Sequence, residues 1–198
     1  MTCAKPLSIP VLLATLCSGA QAQDFVRAPA EADEAFATRV LHLSGDADPH
    51  VTSATWNGAP TLFVDYRTTA EYPERPLVAL QPQASHAYRA IQVTVGEQEG
   101  GTPGIIAIGL ADARHHPAET LIVILAWPQE HLDVNGTLYE VRIFDPPKPG
   151  QTDLAPSKIS QHFGAGCECS RSDGTNSRYR YTTIAAVQAE LKRLGYAP

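Results

Sequence analysis

The chain holds no run of about 18 uninterrupted apolar residues, the length a helix needs to cross a bilayer; the best later candidate, Leu121 to Trp127, is far shorter. Basic charge is in the minority, 15 Lys and Arg against 21 Asp and Glu, which argues against nonspecific binding to nucleic acid or to an anionic membrane. Three catalytic signatures are missing: Gly-x-Ser-x-Gly, His-Glu-x-x-His and Gly-x-x-x-x-Gly-Lys. No reaction is therefore named by motif, no cofactor is called for, and nothing rises above background for an enzyme. The sequence carries no internal repeat. Cysteine is scarce, at four residues.

What is present begins with an export signal. Lys5 supplies a positive n-region, Leu7 to Leu16 an apolar stretch of signal-peptide length, and Ala20-Gln21-Ala22 small residues at both positions a signal peptidase accommodates. Residues 1–22 read as a signal peptide, with a mature start at Gln23 and a periplasmic or secreted destination. Lipidation at Cys17 is the lesser alternative, because Ala14 and Leu16 stand where a lipoprotein signal wants Leu and a small residue. Removal of the segment takes Lys5, Cys3 and Cys17. One cysteine pair then remains, with 14 basic residues (15 less Lys5) against 21 acidic.

The remainder reads as residues 23–35, a polar flexible lead-in, and 36–198, a single globular domain. Period-2 patterns suggest strands at Phe36–Leu43 and His50–Trp56, with Asn57-Gly58 turning into Thr61–Tyr66. Thr68–Pro82, with three prolines, reads as edge or loop. Tyr88–Val95, Ile105–Leu110, Thr120–Ala126 and Thr137–Phe144 follow as strands, with Asn135-Gly136 as the turn before the last. The nearly continuous apolar runs at 105–110 and 120–126 imply strands covered on both faces. One helix, 183–194, shows Thr183 as cap, an apolar stripe of Ile184, Val187, Leu191 and Leu194, and Lys192 and Arg193 in its last turn. The expected fold is mainly β, an antiparallel sheet or sandwich of about seven or eight strands with one C-terminal helix, for which α+β is the alternative label.

Cys167-Glu168-Cys169, in a Cys loop spanning 162–178, is the most unusual local feature. An oxidising compartment favours a local disulfide between Cys167 and Cys169. The alternative is a metal-binding or redox protein using His162, Cys167 and Cys169, although His-x4-Cys-x-Cys is not a standard zinc spacing. His115-His116 point to opposite faces of an extended chain and read as an exposed turn. His42, His50, His131 and Asp133 stand in no motif, and the pairs Asp65/Glu71 and Asp112/Glu119 read as surface charges.

Beside the cysteines, Ser170 to Tyr181 concentrates Arg171, Arg178, Tyr179, Arg180 and Tyr181, residue types enriched at binding hot spots. Its plainer reading is a hairpin turning at Asp173-Gly174 with the tyrosines buried. Ser172-Asp173-Gly174 and Ser177-Arg178-Tyr179 resemble the short Ser/Gly-rich loop, ending in a basic residue and Tyr, of bacterial periplasmic lysozyme inhibitors. The resemblance covers only that stretch and departs in glycine spacing and cysteine placement, so no functional residue is carried over. The expectation is an exported protein-binding domain with another protein as partner, such as an inhibitor or immunity protein against a secreted toxin or lytic enzyme. An envelope structural protein is a further alternative.

Overall fold

Eight consecutive residues, Thr120 to Trp127, are buried, and their burial on both faces decides the layering. The computed structural model describes residues 24–83, 87–112 and 118–196. The signal call at 1–22 and the His115-His116 turn lie outside these residues. In chain order the elements are β1 (Asp24–Val26), α1 (Asp33–Val40), β2 (His50–Trp56), β3 (Ala59–Asp65), β4 (Arg75–Pro82), β5 (Ala87–Gly96), β6 (Gly104–Asp112), β7 (Glu119–Glu130), β8 (Val134–Phe144), α2 (Ser160–Phe163), β9 (Ala165–Arg171), β10 (Asn176–Ser177) and α3 (Ile184–Arg193).

They form two antiparallel five-stranded sheets, in the orders β1-β5-β4-β3-β2 (sheet A) and β10-β9-β8-β7-β6 (sheet B). Alternate residues of each strand point to opposite faces. From sheet A, Trp56, Phe63, Leu77, Ile91 and Val93 meet Leu121, Val123, Leu125, Trp127 and Phe144 of sheet B in the central core. The outer face of sheet A, Leu62, Val64, Val78 and Leu80, is covered by Phe36, Ala37 and Val40 of α1. The outer face of sheet B, Ile122, Ile124, Val141 and Ile143, is covered by Phe163, Val187 and Leu191. Full burial of such aliphatic side chains stabilises by about 1.5–3 kcal/mol each, so each helix is held chiefly by its apolar stripe. Charged side chains join the sheets: Arg142 Nη1 donates to Thr94 Oγ1 and to the Val95 carbonyl, both at 2.7 Å, while Nε and Nη2 bind Glu140, and Glu119 Oε2 accepts from the Asn57 N–H at 2.9 Å.

The mainly β fold and the C-terminal helix agree with the expectation. Thr183 Oγ1 accepts from the Ala186 N–H at 3.3 Å as the cap of α3, and Asn57 and Gly58 both take positive φ, +51° and +77°, as a two-residue hairpin turn requires. Several local expectations are corrected. Phe36–Leu43 is not a strand. Phe36, Ala37 and Val40 share a helical face as well as fitting a loose alternation, and Asp33 and Glu34 at the first turn with Arg39 at the last favour helix. The stretch 23–35 holds, from residue 24 on, strand β1 and the first turn of α1; β1 pairs with β5 through Phe25 opposite Tyr88.

β4 is a central strand despite its prolines. Its doubly paired segment, Leu77 to Leu80, contains none, and Pro76 and Pro82 fall near the ends, outside the register with β3. Asn135-Gly136 lies within β8, opposite Glu130 and Gln129; the β7–β8 turn is 131–133 instead. The strands number ten among the described residues: β1 and β10 are too short to show a period, β4 and β9 stand where edge, loop or Cys loop is expected, and α1, in place of an expected strand, and α2 add to the single expected helix.

The proline-rich connection after β8 crosses to sheet A. There the Gln92 N–H donates to the Thr152 carbonyl at 2.7 Å and the Leu154 N–H to the Gln92 carbonyl at 2.9 Å. It then returns, the Ser157 N–H donating to the Ile143 carbonyl at 2.7 Å.

Helix α3 seats where β6 has no side chain. A Cβ at Gly109 would stand 2.4 Å from Ile184 Cγ2. Gly109→Ala is expected to destabilise by about 1–3 kcal/mol in urea unfolding, and Gly109→Ala combined with Ile184→Ala to lose less than the sum of the two single changes.

Candidate functional site

The segment expected as a Cys loop is mostly strand. Residues 162–178 comprise the end of α2, all of β9, a turn and β10. β9 follows β8 residue for residue, from Ala165 opposite Glu140 to Arg171 opposite Val134. The hairpin turns at Asp173-Gly174, with Gly174 at φ +83°, and Asp173 Oδ1 accepts from both the N–H and the hydroxyl of Thr175. Those two bonds hold the Asp173 carboxyl below its ordinary pKa.

The cysteines sit two apart on β9, so both side chains leave one face. Their sulfur atoms meet as a disulfide-like pair with Cα atoms 5.3 Å apart. Glu168, Cys169 and Ser170 line one side of a cleft of about 250 Å3, and Asn176, Ser177 and Arg178 the other. Ser177 Oγ is buried there without a partner among the described residues.

The expected binding residues divide into two groups. Arg171, Arg178 and Arg180 are exposed. Tyr179 and Tyr181 are half-buried and face the other way. Tyr179 stacks parallel to Tyr139 at 6.2 Å between ring centroids and donates its hydroxyl to the Gly164 carbonyl at 3.0 Å, while Tyr181 packs edge-on to Phe163. Burial, with Tyr181 and Glu140 adding, pushes the Tyr179 phenol up to about 12. Gly166 makes room for this ring: a Cβ there would lie 2.2 Å from Tyr179 Cδ2. The tyrosines anchor the segment to sheet B.

His162 belongs to a different cluster from the cysteines. Its Nε2 lies 2.7 Å from Glu190 Oε1 on α3, and Arg193 binds the same carboxylate through Nε at 2.9 Å and Nη2 at 2.6 Å. The three-ligand set of His162, Cys167 and Cys169 is not assembled, and among the described residues no group of three His, Cys, Asp or Glu is placed to hold a metal ion. His50, His131 and His162 bond to Asp65, Gln129 and Glu190 through one ring nitrogen each.

Two arrangements escaped the sequence reading. Asp65 is buried, bonded by Arg75 Nε and by His50 Nδ1 at 3.1 Å; the charge pattern could not show a partner ten residues away across a turn. The other is the end of sheet B. The β7–β8 turn closes with the His131 N–H donating to the Val134 carbonyl at 2.9 Å. It is tied to the β9–β10 turn, Ser172 N–H to the Asp133 carbonyl at 3.2 Å and Ser172 Oγ to Asp133 Oδ1 at 3.1 Å. Within the first of these turns Leu132 stands 97% exposed. A local signal for it exists, an apolar residue between His131 and Asp133.

The Glu190 carboxyl is held down to about 2, first by its bond from Arg193 and then by that from His162. A depressed acid contributes stability above its unfolded value, and that contribution is lost as pH falls through the folded value. The native chain should therefore lose stability progressively between about pH 4.5 and pH 2 from this group, while Glu190→Gln flattens that part of a urea-midpoint profile. Compared with protein-family models, curated proteins and solved structures, the chain matches none of them.

Proposed function

We propose that the chain is an exported protein-binding domain that meets its partner at the end of sheet B, where the turns 131–133 and 172–174 join. The observation that carries this is Leu132. A large apolar side chain held almost fully in water on a turn that is itself braced by a second turn is pre-ordered for a contact, and pre-ordering reduces the entropy lost on binding. Arg171, exposed at the base of the second turn, adds a residue type enriched at hot spots, and a basic group stands out on an acidic chain. The partner class follows from the same features: a protein with an apolar pocket rimmed by acidic groups. An inhibitor or immunity protein directed at a secreted toxin or lytic enzyme fits a small exported domain of this kind.

Export is tested by sequencing the N-terminus of the protein recovered outside the cytoplasm. The expected first residue is Gln23; an intact Met1 confined to the cytosol overturns this part. For the surface, a photo-crosslinking residue at 132 should capture a partner protein, and one at the exposed Tyr72 should not. Leu132→Asp and Arg171→Glu are each expected to weaken that partner's binding by about 2 kcal/mol while shifting folding stability by no more than about 0.5 kcal/mol. Equal capture at both positions would remove this end of sheet B from the proposal.

A further inference from the structure

The surroundings of Cys167 and Cys169 do not suit a structural cross-link. Two residues of a free strand span about 6.5 Å, and these Cα atoms lie 5.3 Å apart, a little closer than a free strand sets them. The loop the bridge closes is among the shortest a disulfide can close, and short loops remove the least entropy from the unfolded chain. Nor does β9 depend on the bridge, since it is paired along its length with β8 and at its end with β10.

The pair does have asymmetry and access. Cys167 is half-exposed, while Cys169 is only 4% exposed and lines the cleft that Arg178 also lines. Across the ladder from Cys169 stands Gly136, where a Cβ would come within 2.9 Å of Cys169 Sγ and 2.2 Å of the Glu168 carbonyl oxygen. A side chain there would press on the sulfur. An outer, attackable sulfur beside an inner, sheltered one is the arrangement that thiol–disulfide exchange requires.

We infer that Cys167–Cys169 is an exchangeable redox couple that oxidises the dithiol of another protein. A thiolate of that dithiol attacks Cys167 Sγ; a mixed disulfide forms, and the Cys167–Cys169 bond breaks with its electron pair leaving on Cys169 Sγ. Of the charged residues on the same cleft, Arg178 favours this thiolate and Glu168 opposes it; the thiolate then takes a proton from solvent. The second thiolate of the substrate attacks its own sulfur in the mixed disulfide and releases Cys167, which is protonated in turn. Two electrons and two protons pass from the substrate dithiol to the cysteine pair. Because β9 stays paired throughout, the reduced domain keeps its fold. This inference stands apart from the Leu132 surface and does not require it.

The test uses the purified, air-oxidised chain without denaturant. Dithiothreitol is the dithiol probe, and peptide masses after alkylation count the thiols at Cys167 and Cys169, apart from Cys3 and Cys17. Two thiols per chain should appear, with the far-UV spectrum and thermal midpoint retained, and oxidised glutathione should remove them again. With one cysteine replaced, oxidised glutathione should cap Cys167 in Cys169→Ser roughly tenfold faster than it caps Cys169 in Cys167→Ser, following access. A bridge that yields only in urea, a fold that collapses on reduction, thiols that never pair in oxidised glutathione, or equal capping rates in the two variants would each overturn the inference.

Discussion

Burial of both faces of β7 is the constraint on which the other layers depend. Leu121, Val123, Leu125 and Trp127 require a sheet on one side, and Ile122 and Ile124 require a cover on the other. Sheet A supplies the first and α3, with Phe163 of α2, the second. A strand solvated on one face would need neither. Sheet A then repeats the problem on its own outer surface, and α1 answers it. The result is a helix–sheet–sheet–helix stack in which every layer exists because its neighbour would otherwise leave apolar surface in water.

Much of this was legible because it was periodic or chemically local. The unbroken apolar run at 120–126 announced a strand with two buried faces, and Asn57-Gly58 announced a turn with two positive φ angles. Thr183 announced the start of α3. What was not legible lay where one pattern serves two structures. Phe36-Ala37-Thr38-Arg39-Val40 fits a short strand and a short helix alike, and only the apolar surface of Leu62, Val64 and Leu80 beneath it decides between them. Asn135-Gly136 carries a turn signal, but Gly136 is needed where β9 approaches too closely for a side chain. Proline near the ends of β4 argues against a central strand, and the four residues Leu77 to Leu80, which include no proline, carry the pairing with β3.

The site was legible in part for the same reason. Sequence proximity gathered Arg171, Arg178, Tyr179, Arg180 and Tyr181 into one surface; the strand and its turn then separated them, arginines outward and tyrosines onto Tyr139 and Phe163. His162 was grouped with the cysteines because it precedes them by a few residues, yet its partner is 28 residues downstream on α3. Leu132 shows in the sequence only as an apolar residue between His131 and Asp133, and the bond from Ser172 to Asp133 that braces its turn joins residues 39 apart.

The strand-like segment at 152–154 has a consequence for how the molecule behaves among its own copies. β1 occupies the edge of β5 only from Ala87 to Arg89, and beyond it the open backbone at Gln92 would offer a template for another chain's strand. The crossing segment takes up the N–H and carbonyl of Gln92, and the prolines leading into it, Pro146, Pro147 and Pro149, have no N–H with which to extend a ladder outward. On sheet B, the bulge at Ile105/Ala107 and the bond from Gln188 to the Leu110 carbonyl blunt the edge of β6 in another way. A stretch that looks like mere linker thus works as a guard against runaway sheet growth.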